Sequence, residues 1–352
     1  MTLLTDNRTI VLKSSDAKAT DVVDSSVNQT DQKTLLLLKP RGFCAGVVRA
    51  IDIVRIALEK FGPPIYVRKE IVHNRFVVEE LQQKGAIFVD SVEEVPAGER
   101  VIYSAHGVSP EVRQDSKLRE LRVIDATCPL VTKVHVEAVK FAKEGYSLIL
   151  IGHRDHDEVV GTLGEAPDVT QVVGTPEEVP FLSVPDPNRV AYLTQTTLSL
   201  DETKGIIEAL KVKFPNIKGP AAQDICYATE NRQVAVKQVA AEADLVLVVG
   251  SDNSSNSNRL VEVSRNWGTA SHLIDSYKDI RPEWLEGGVK RIALTAGASA
   301  PECLVEEVVK YLTEKGFGNV EELEVMPENV RFGLPPEIVE AIASAPAIPA
   351  QG

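Results

Sequence analysis

The chain has 352 residues, of which 43% are hydrophobic, and its formal net charge is −13. This length is enough for a large core and for more than one globular unit, because domains run to roughly 100–200 residues. An acidic chain without a Lys/Arg-rich run binds nucleic acid and anionic membranes poorly, and no apolar run reaches the ~20 residues of a membrane helix. Composition therefore argues against a nucleic-acid-binding or membrane-spanning protein.

The N-terminal residues are polar and lack apolar periodicity, which predicts a flexible extension over 1–33. They have neither the basic and apolar regions of a secretory signal nor the acid-poor composition of a transit peptide. The four cysteines are far apart, which argues against a disulfide framework. We therefore predict a cytoplasmic protein.

Strands and helical patterns alternate from residue 34 onward. The apolar run 34–38 predicts a buried strand, and Val47, Ile51, Val54 and Leu58 share one face of a predicted helix. Six further runs are typical of strands: 65–69, 100–104, 147–151, 189–193, 244–249 and 291–295. This alternation predicts α/β units with mostly parallel sheets.

A repeat with a long period divides the chain into three units. Each unit opens with a cysteine just before a helical pattern, in GFCAGVVRA (Cys44), ATCPLVTKV (Cys128) and DICYATENRQ (Cys226). Two segments of strand, polar turn and helix follow each cysteine. The predicted units are 34–127, 128–225 and 226–318, with a C-terminal tail over 319–352. Since the strand before Cys44 resembles the segment 121–126 before Cys128, we predict that 34–40 completes the sheet of the third unit.

The polar turns of the three units hold candidate binding groups. The first turns carry His73, His156 and Asn256, and the second turns carry His106, Thr196 and Ser299. Ligands of α/β sheets bind beyond the carboxyl ends of the strands, so these turns and the cysteines can meet at one centre. That requires the units to pack around a pseudo-threefold axis. We therefore predict an α/β trefoil of three related units.

The cysteines that open the units are candidate metal ligands, because a helix N-terminus stabilises the thiolate that binds metal. They form no CxxC pair, which argues against a structural zinc site and favours a site where units meet. Three thiolates on four irons would leave one iron open to a substrate. We predict that Cys44, Cys128 and Cys226 hold one iron–sulfur cluster. Cys303 could be a fourth ligand, but it does not occupy a repeat-equivalent position, so we predict a thiol on a helix face. The alternative is that all four are buried thiols acting as small hydrophobic side chains.

The turns can supply an anion site without arginine. Histidine turns that precede helices suit anions, and together with the third unit's polar groups they could bind a phosphate or diphosphate. These groups are His73, His106, His156, Ser254, Ser255, Asn256 and Ser299. The alternative for SDNSSNSN is a solvated loop. No Walker or dinucleotide fingerprint is present, which argues against ATP and NAD as direct ligands.

Two residues are candidates for proton transfer. Glu158, among apolar surfaces and a bound anion, would have a raised pKa and could donate a proton. Thr196 could relay a proton or bind a substrate hydroxyl. The alternatives are a first-turn glutamate that favours the helix dipole and a capping threonine.

These residues lie in blocks that resemble the 4-hydroxy-3-methylbut-2-enyl diphosphate reductase (IspH/LytB) family. The blocks are PRGFCAGVVRAI, VHNRFVVEEL, SAHGVSP, DATCPLVTKVH, TQTTLS, DICYATENRQ, GSDNSSNSNRL and TAGASAP. They occur in the expected order from about residue 34 to about residue 335, which makes the match highly specific. Asp157 departs from the pattern, since proline commonly stands between the histidine and the glutamate.

The resemblance implies a trefoil around one [4Fe–4S] cluster held by Cys44, Cys128 and Cys226. It implies reductive dehydroxylation of an allylic diphosphate to isopentenyl and dimethylallyl diphosphate, the last step of the non-mevalonate isoprenoid pathway. Glu158 would donate the proton with help from Thr196, and His73, His106, His156, Ser254, Asn256 and Ser299 would bind the diphosphate. An electron donor such as ferredoxin or flavodoxin is expected. Two alternatives stay open: a zinc hydrolase with a Cys₃ site, and a non-enzymatic iron–sulfur sensor.

Overall fold

The computed structural model describes residues 33–344. The predicted flexible extension therefore lies outside the described residues except for Lys33, and so do the last residues of the tail, 345–352. Within the described part, no helix combines the length and the apolar character needed to cross a membrane.

Strands and helices alternate along the chain. The strands are β1 (Thr34–Lys39), β2 (Ile65–Arg68), β3 (Ala86–Val89), β4 (Arg100–Tyr103), β5 (Arg122–Asp125), β6 (Ser147–Ile151), β7 (Thr170–Val173), β8 (Val190–Thr194), β9 (Leu245–Val249), β10 (Ala270–Ile274), β11 (Arg291–Ala296) and β12 (Asn319–Glu324). The helices are α1 (Ala45–Phe61), α2 (Arg75–Gln83), α3 (Pro110–Leu118), α4 (Pro129–Lys143), α5 (Asp157–Glu165), α6 (Leu200–Lys213), α7 (Tyr227–Ala240), α8 (Ser255–Asn266), α9 (Glu302–Glu314) and α10 (Pro336–Ala343).

The strands form three parallel sheets, with the orders β3-β2-β4-β5, β7-β6-β8 and β10-β9-β11-β1-β12. In each sheet the strand that follows a unit's cysteine helix lies between the next two strands of that unit. In each sheet a fourth segment pairs with the last of these strands and leads towards a cysteine. In the first sheet this segment is β5, and in the second it is a parallel bridge from Ala191 to Lys218. The predicted α/β class with three related units is confirmed.

Strand β1 lies in the third sheet although it begins the described chain. It pairs in parallel with β11, where Leu35 is opposite Ile292, and with β12 on its other side. Leu35 and Leu38 are fully buried. Because a parallel sheet is covered on both faces, its inner strands are continuous apolar runs, as in the wholly buried LVLVV of β9. The segment that leads into Cys44 therefore lies within the sheet of the third unit, between β11 and β12.

The described part of the predicted tail contains a strand and a helix. Strand β12 pairs with β1 along its whole length, and its side chains are largely exposed, as expected for a strand at the edge of a sheet. Helix α10 packs on α1, and its Ile338 is fully buried in the core around α1. The segment between β12 and α10 contributes Phe332 to the lining of a cavity.

Candidate active site

The three repeat-related cysteines each occupy the N-cap of a helix. Cys44 precedes α1, Cys128 precedes α4 and Cys226 precedes α7. Their backbone N–H groups donate to one carbonyl in each sheet's second polar turn, at 3.0–3.1 Å. These pairs are Cys44 to Ala298, Cys128 to Ala105 and Cys226 to Thr196. The same contact in all three places shows that the pseudo-threefold relation extends to the site itself.

All three thiols line one cavity with about 750 Å³ of empty space, part of it open to solvent. Cys303, by contrast, is exposed on α9 and does not line this cavity. Burial, with a smaller contribution from the neighbouring thiols, raises the pKa of Cys128 to about 12 and that of Cys226 to about 11. Buried thiolates in such proximity need a cationic partner, so the donor set fits a metal group.

The spacing of the sulfur atoms separates a cluster from a single ion. A Cβ atom at Gly46 would lie 2.8 Å from Cys128 Sγ and 3.8 Å from Cys44 Sγ, so these sulfurs face each other across the start of α1. The three thiols are nevertheless not among the groups in residues 33–344 whose ligand atoms all come within 4.8 Å of one another. Three ligands of one zinc ion at about 2.3 Å would be closer together than that. The spacing favours a cluster with several metal atoms over a Cys₃ zinc site.

We expect Gly46→Ala to lower the amount of iron and sulfide bound per chain, because the new methyl group would displace the Cys128 sulfur. Gly205→Ala in α6 is the matched control, since the nearest atom there is Pro176 Cγ at 3.9 Å. The control should keep its iron and gain stability, because glycine within a helix costs roughly 0.5–1 kcal/mol relative to alanine. Iron and sulfide analysis with thermal unfolding measures both effects. Full iron content in Gly46→Ala would show that the sulfurs tolerate the displacement.

Three histidines meet at one end of the cavity. The rings of His73 and His106 stack with centroids 4.0 Å apart, and His156 meets them edge-on at 5.3 and 5.7 Å. Burial lowers the pKa of His106 well below its usual value and that of His156 to about 3, so both rings are neutral at pH 7. His156 Nδ1 accepts a hydrogen bond from Glu158 N at 3.2 Å, which leaves the ring hydrogen on Nε2. His156 is thereby a neutral N–H donor.

The third unit contributes hydroxyl and amide groups to the same end. Ser254 is the N-cap of α8, and its Oγ lies 3.4 Å from Ser299 Oγ. Ser299 Oγ donates to the His73 carbonyl at 2.8 Å, which ties the third unit to the first. Asn256 Oδ1 accepts from Ala298 N at 2.7 Å, while Ser255 Oγ donates to the Thr197 carbonyl at 3.2 Å. All four predicted residues of the third unit line the cavity: Ser254, Ser255, Asn256 and Ser299.

Glu158 is 2% exposed and is held at both carboxylate oxygens by Thr196. Its Oε1 accepts from Thr196 N at 2.6 Å and its Oε2 from Thr196 Oγ1 at 2.9 Å. Burial raises the pKa of Glu158 to about 7, and the charge of Asp224 adds to the effect. A carboxyl group with this pKa can hold a proton and release it near neutral pH.

Sequence reasoning missed Asp224, which orders the turn around Thr196. Its side chain is fully buried, Oδ2 accepts from Thr194 N at 2.9 Å, and Oδ1 accepts from Lys133 Nζ at 2.7 Å. Lys133 lies on α4, the helix that Cys128 caps. Asp224 precedes Cys226 by two residues, and an ionisable group so close to a candidate ligand was the available signal.

The chain is similar to known proteins along most of its length. A protein-family model described as LytB protein matches residues 35–313. A 4-hydroxy-3-methylbut-2-enyl diphosphate reductase of Acidothermus cellulolyticus is 55% identical over 308 residues, which cover 87% of this chain and 90% of that protein. The reductase of the same name from Streptomyces coelicolor is 54% identical over 307 residues, with the same coverage.

A solved structure agrees with these sequence matches. The E-1-hydroxy-2-methyl-but-2-enyl-4-diphosphate reductase from Plasmodium falciparum superposes with a TM-score of 0.86 at 43% identity, covering 89% of this chain and 98% of that chain. The resemblance and the trefoil class predicted from the sequence are confirmed. The chain belongs to the LytB family, whose relatives found here are 4-hydroxy-3-methylbut-2-enyl diphosphate reductases.

Proposed function

We propose that the chain reduces (E)-4-hydroxy-3-methylbut-2-enyl diphosphate to isopentenyl and dimethylallyl diphosphate. The reaction consumes two electrons and two protons, breaks the allylic C–O bond and releases water. A solved relative, 32% identical with a TM-score of 0.58, is described as the terminal enzyme of the non-mevalonate pathway, and we assign this chain to that step. The observation that carries the proposal is that one cavity joins three cysteines, a buried glutamate and three histidines.

Cys44, Cys128 and Cys226 would hold one [4Fe–4S] cluster. Support comes from three thiols at helix N-termini, their spacing beyond that of single-ion ligands, and the lack of a fourth cysteine at the cavity. When bound, such a cluster supplies electrons one at a time and a Lewis-acidic iron at the carbon–oxygen bond that breaks. The protein supplies orientation and protons.

The diphosphate end of the cavity binds its anion through neutral donors. No lysine or arginine is among the cavity-lining residues of the described chain. His156 presents an N–H group at the start of α5, and Ser254 and Ser255 present hydroxyls at the start of α8. Helix N-termini add unpaired backbone N–H groups and a positive dipole end. The site can therefore hold a diphosphate in a chain whose net charge is negative.

Glu158 would donate the proton that completes the reaction. Its carboxyl group is desolvated, so its proton is held until the leaving oxygen or the developing carbanion takes it. Thr196 fixes the carboxyl orientation through two contacts and can pass a proton through its hydroxyl. Apolar neighbours, among them Val72 and Val131, line the cavity and limit the entry of water.

The rate should depend on pH through Glu158. A donor must be protonated, and the pKa of Glu158 is about 7 in the free enzyme. We therefore expect kcat/KM to be constant well below pH 7 and to fall with increasing pH above it, approaching a tenfold loss per pH unit. Steady-state rates across pH with a chemical reductant measure this, and iron content at each pH controls for cluster loss. A kcat/KM that rises through pH 7–9 would contradict the assignment.

Electrons would come from a small redox protein such as ferredoxin or flavodoxin, as the resemblance to the reductase family implies. We place the enzyme in the cytoplasm, because free thiols at an iron–sulfur site need reducing conditions.

The zinc hydrolase alternative would give a colourless protein that contains zinc instead of iron and sulfide. A sensor would have no need of the diphosphate end.

One experiment tests the proposal as a whole. Anaerobic purification followed by iron and sulfide analysis should give about four of each per chain, as a [4Fe–4S] cluster requires. The same preparation should convert the allylic diphosphate to the two products with a strong reductant. Zinc in place of iron, or a loaded cluster without turnover, would overturn the proposal.

A further inference from the structure

Three side chains at the diphosphate end bring their possible metal-ligand atoms close together. One ring nitrogen each of His73 and His106 and one carboxylate oxygen of Asp157 lie within 4.8 Å of one another. Two histidines and a carboxylate with open positions bind first-row divalent cations in other proteins. The rings of His73 and His106 stack at 4.0 Å in this structure, so one of them must rotate before both in-plane lone pairs reach one ion at the bond length of about 2 Å of a zinc ligand. This set contains none of the cysteines.

The outer contacts of the two rings have the pattern of metal-binding histidines. His73 Nδ1 lies 3.2 Å from Glu70 Oε2, and Asn253 Nδ2 donates to that same oxygen at 2.7 Å. A ligating histidine usually donates its second ring N–H to such a carboxylate, which fixes the ring. His106 Nδ1 lies 3.4 Å from the hydroxyl of the fully buried Ser104. Each ring therefore keeps Nε2 for a ligand.

The hydrogen on His73 decides which ligand that nitrogen accepts. Because the Glu70 carboxylate can only accept, Nδ1 carries a hydrogen, and Nε2 is the nitrogen whose lone pair a cation would take. A lone pair binds a cation and repels a phosphate oxygen. His156 is the opposite case, since its Nδ1 accepts from Glu158 N and its Nε2 is a donor. His156 is also absent from the cation-binding set.

Asp157 also favours a cation over the diphosphate at this position. It is the first residue of α5 and is half-buried beside the histidines that would bind the diphosphate. A carboxylate so close to a diphosphate repels it, so Asp157 opposes the anion and favours a cation. Asp157 and His73 Nε2 thus both favour a cation when the substrate is absent.

We propose that His73, His106 and Asp157 bind a divalent transition-metal cation such as Zn²⁺ in the substrate-free enzyme, and that this cation excludes the substrate's diphosphate. The two ligands compete because the diphosphate needs a hydrogen on His73 Nε2, where the cation needs the lone pair. The inference of a cation site depends only on the positions of the three side chains. Only its effect on catalysis rests on the proposed function.

Zinc binding to the cluster-loaded enzyme tests the site. Anaerobic equilibrium dialysis at free Zn²⁺ fixed by a metal buffer should give one more zinc per wild-type chain than per Asp157→Asn chain. Asp155→Asn is the matched control, because it removes the same charge from an exposed position on the same turn. It should bind zinc as the wild type does. Equal zinc in wild type and Asp157→Asn would overturn the proposal. Iron measured on the same samples shows that each variant keeps its cluster.

Kinetics at the same fixed free Zn²⁺ test the competition. In the wild type and in Asp155→Asn, zinc should raise KM for the allylic diphosphate and leave kcat unchanged. In Asp157→Asn the zinc concentration that doubles KM should be at least tenfold higher. A fall in kcat without a change in KM would overturn the competition. An enzyme that binds zinc but never turns over the substrate would instead contradict the proposed function, because dialysis needs no turnover.

Discussion

Replacing Glu158 with glutamine is expected to lower kcat by about 10²–10⁴-fold, the usual contribution of a positioned acid, while the cluster stays bound. Glutamine has nearly the same shape, so it can keep both contacts to Thr196. Its oxygen can accept from Thr196 N, and its amide N–H can donate to Thr196 Oγ1, in place of the hydrogen bonds that Glu158 accepts at 2.6 and 2.9 Å. What the variant lacks is a transferable proton.

Three measurements separate loss of the acid from loss of the site. Iron and sulfide per chain should equal the wild-type values, and KM should change little because the contact between residue 158 and the diphosphate donor His156 is made by the backbone N–H, which the substitution keeps. Glu177→Gln is a control for the charge change, since Glu177 is exposed on the surface. It should leave kcat unchanged. If Glu158→Gln retains wild-type turnover, the proton comes from elsewhere and the assignment of the acid is wrong.

The strands that sequence reasoning found are the apolar ones. All seven predicted runs correspond to strands within one residue at each end, from β1 to β11. Runs such as LVLVV in β9 are apolar throughout because both faces of a parallel sheet are covered. The strands without a prediction of their own are β3, β5, β7, β10 and β12, and each lies at the edge of a sheet. An edge strand buries less of its surface, so polar residues interrupt the pattern of β5, β7, β10 and β12, whereas β3 is apolar but only four residues long.

The site residues that recur at equivalent places in the three units could be predicted from the sequence. Those whose role depends on contacts between distant segments could not. The cysteines were identifiable because the same residue precedes three helices, and the His, Ser and Asn turns because they recur after strands. Nothing local marks Phe332, which reaches the cavity from a segment read as tail, or Asp224, whose partners are Thr194 and Lys133. The ring stacking of His73 on His106 likewise depends on packing within the first unit.

Replacing any one of Cys44, Cys128 or Cys226 with alanine is expected to remove the cluster and with it nearly all turnover. The three thiols come from three units and share one cavity, so no neighbouring thiol in the described chain can substitute for the missing one. Loss of a ligand should cost more than the roughly 10–100-fold that loss of an outer-shell partner costs. Iron and sulfide analysis after anaerobic gel filtration, with the visible absorption of the cluster, measures the result.

Cys303→Ala is the matched control for these three variants. Cys303 is exposed on α9 and lines no part of the cavity, so its removal should leave iron content and kcat at wild-type values. The comparison separates ligation from general thiol chemistry, because all four variants make the same change from thiol to methyl. Full iron in Cys226→Ala would contradict a three-cysteine site, whereas loss of iron in Cys303→Ala would require a fourth protein ligand. The expected pattern, three variants without iron and one with it, is the one that a cluster held by these three protein thiols would give, because Cys303 lies outside the cavity.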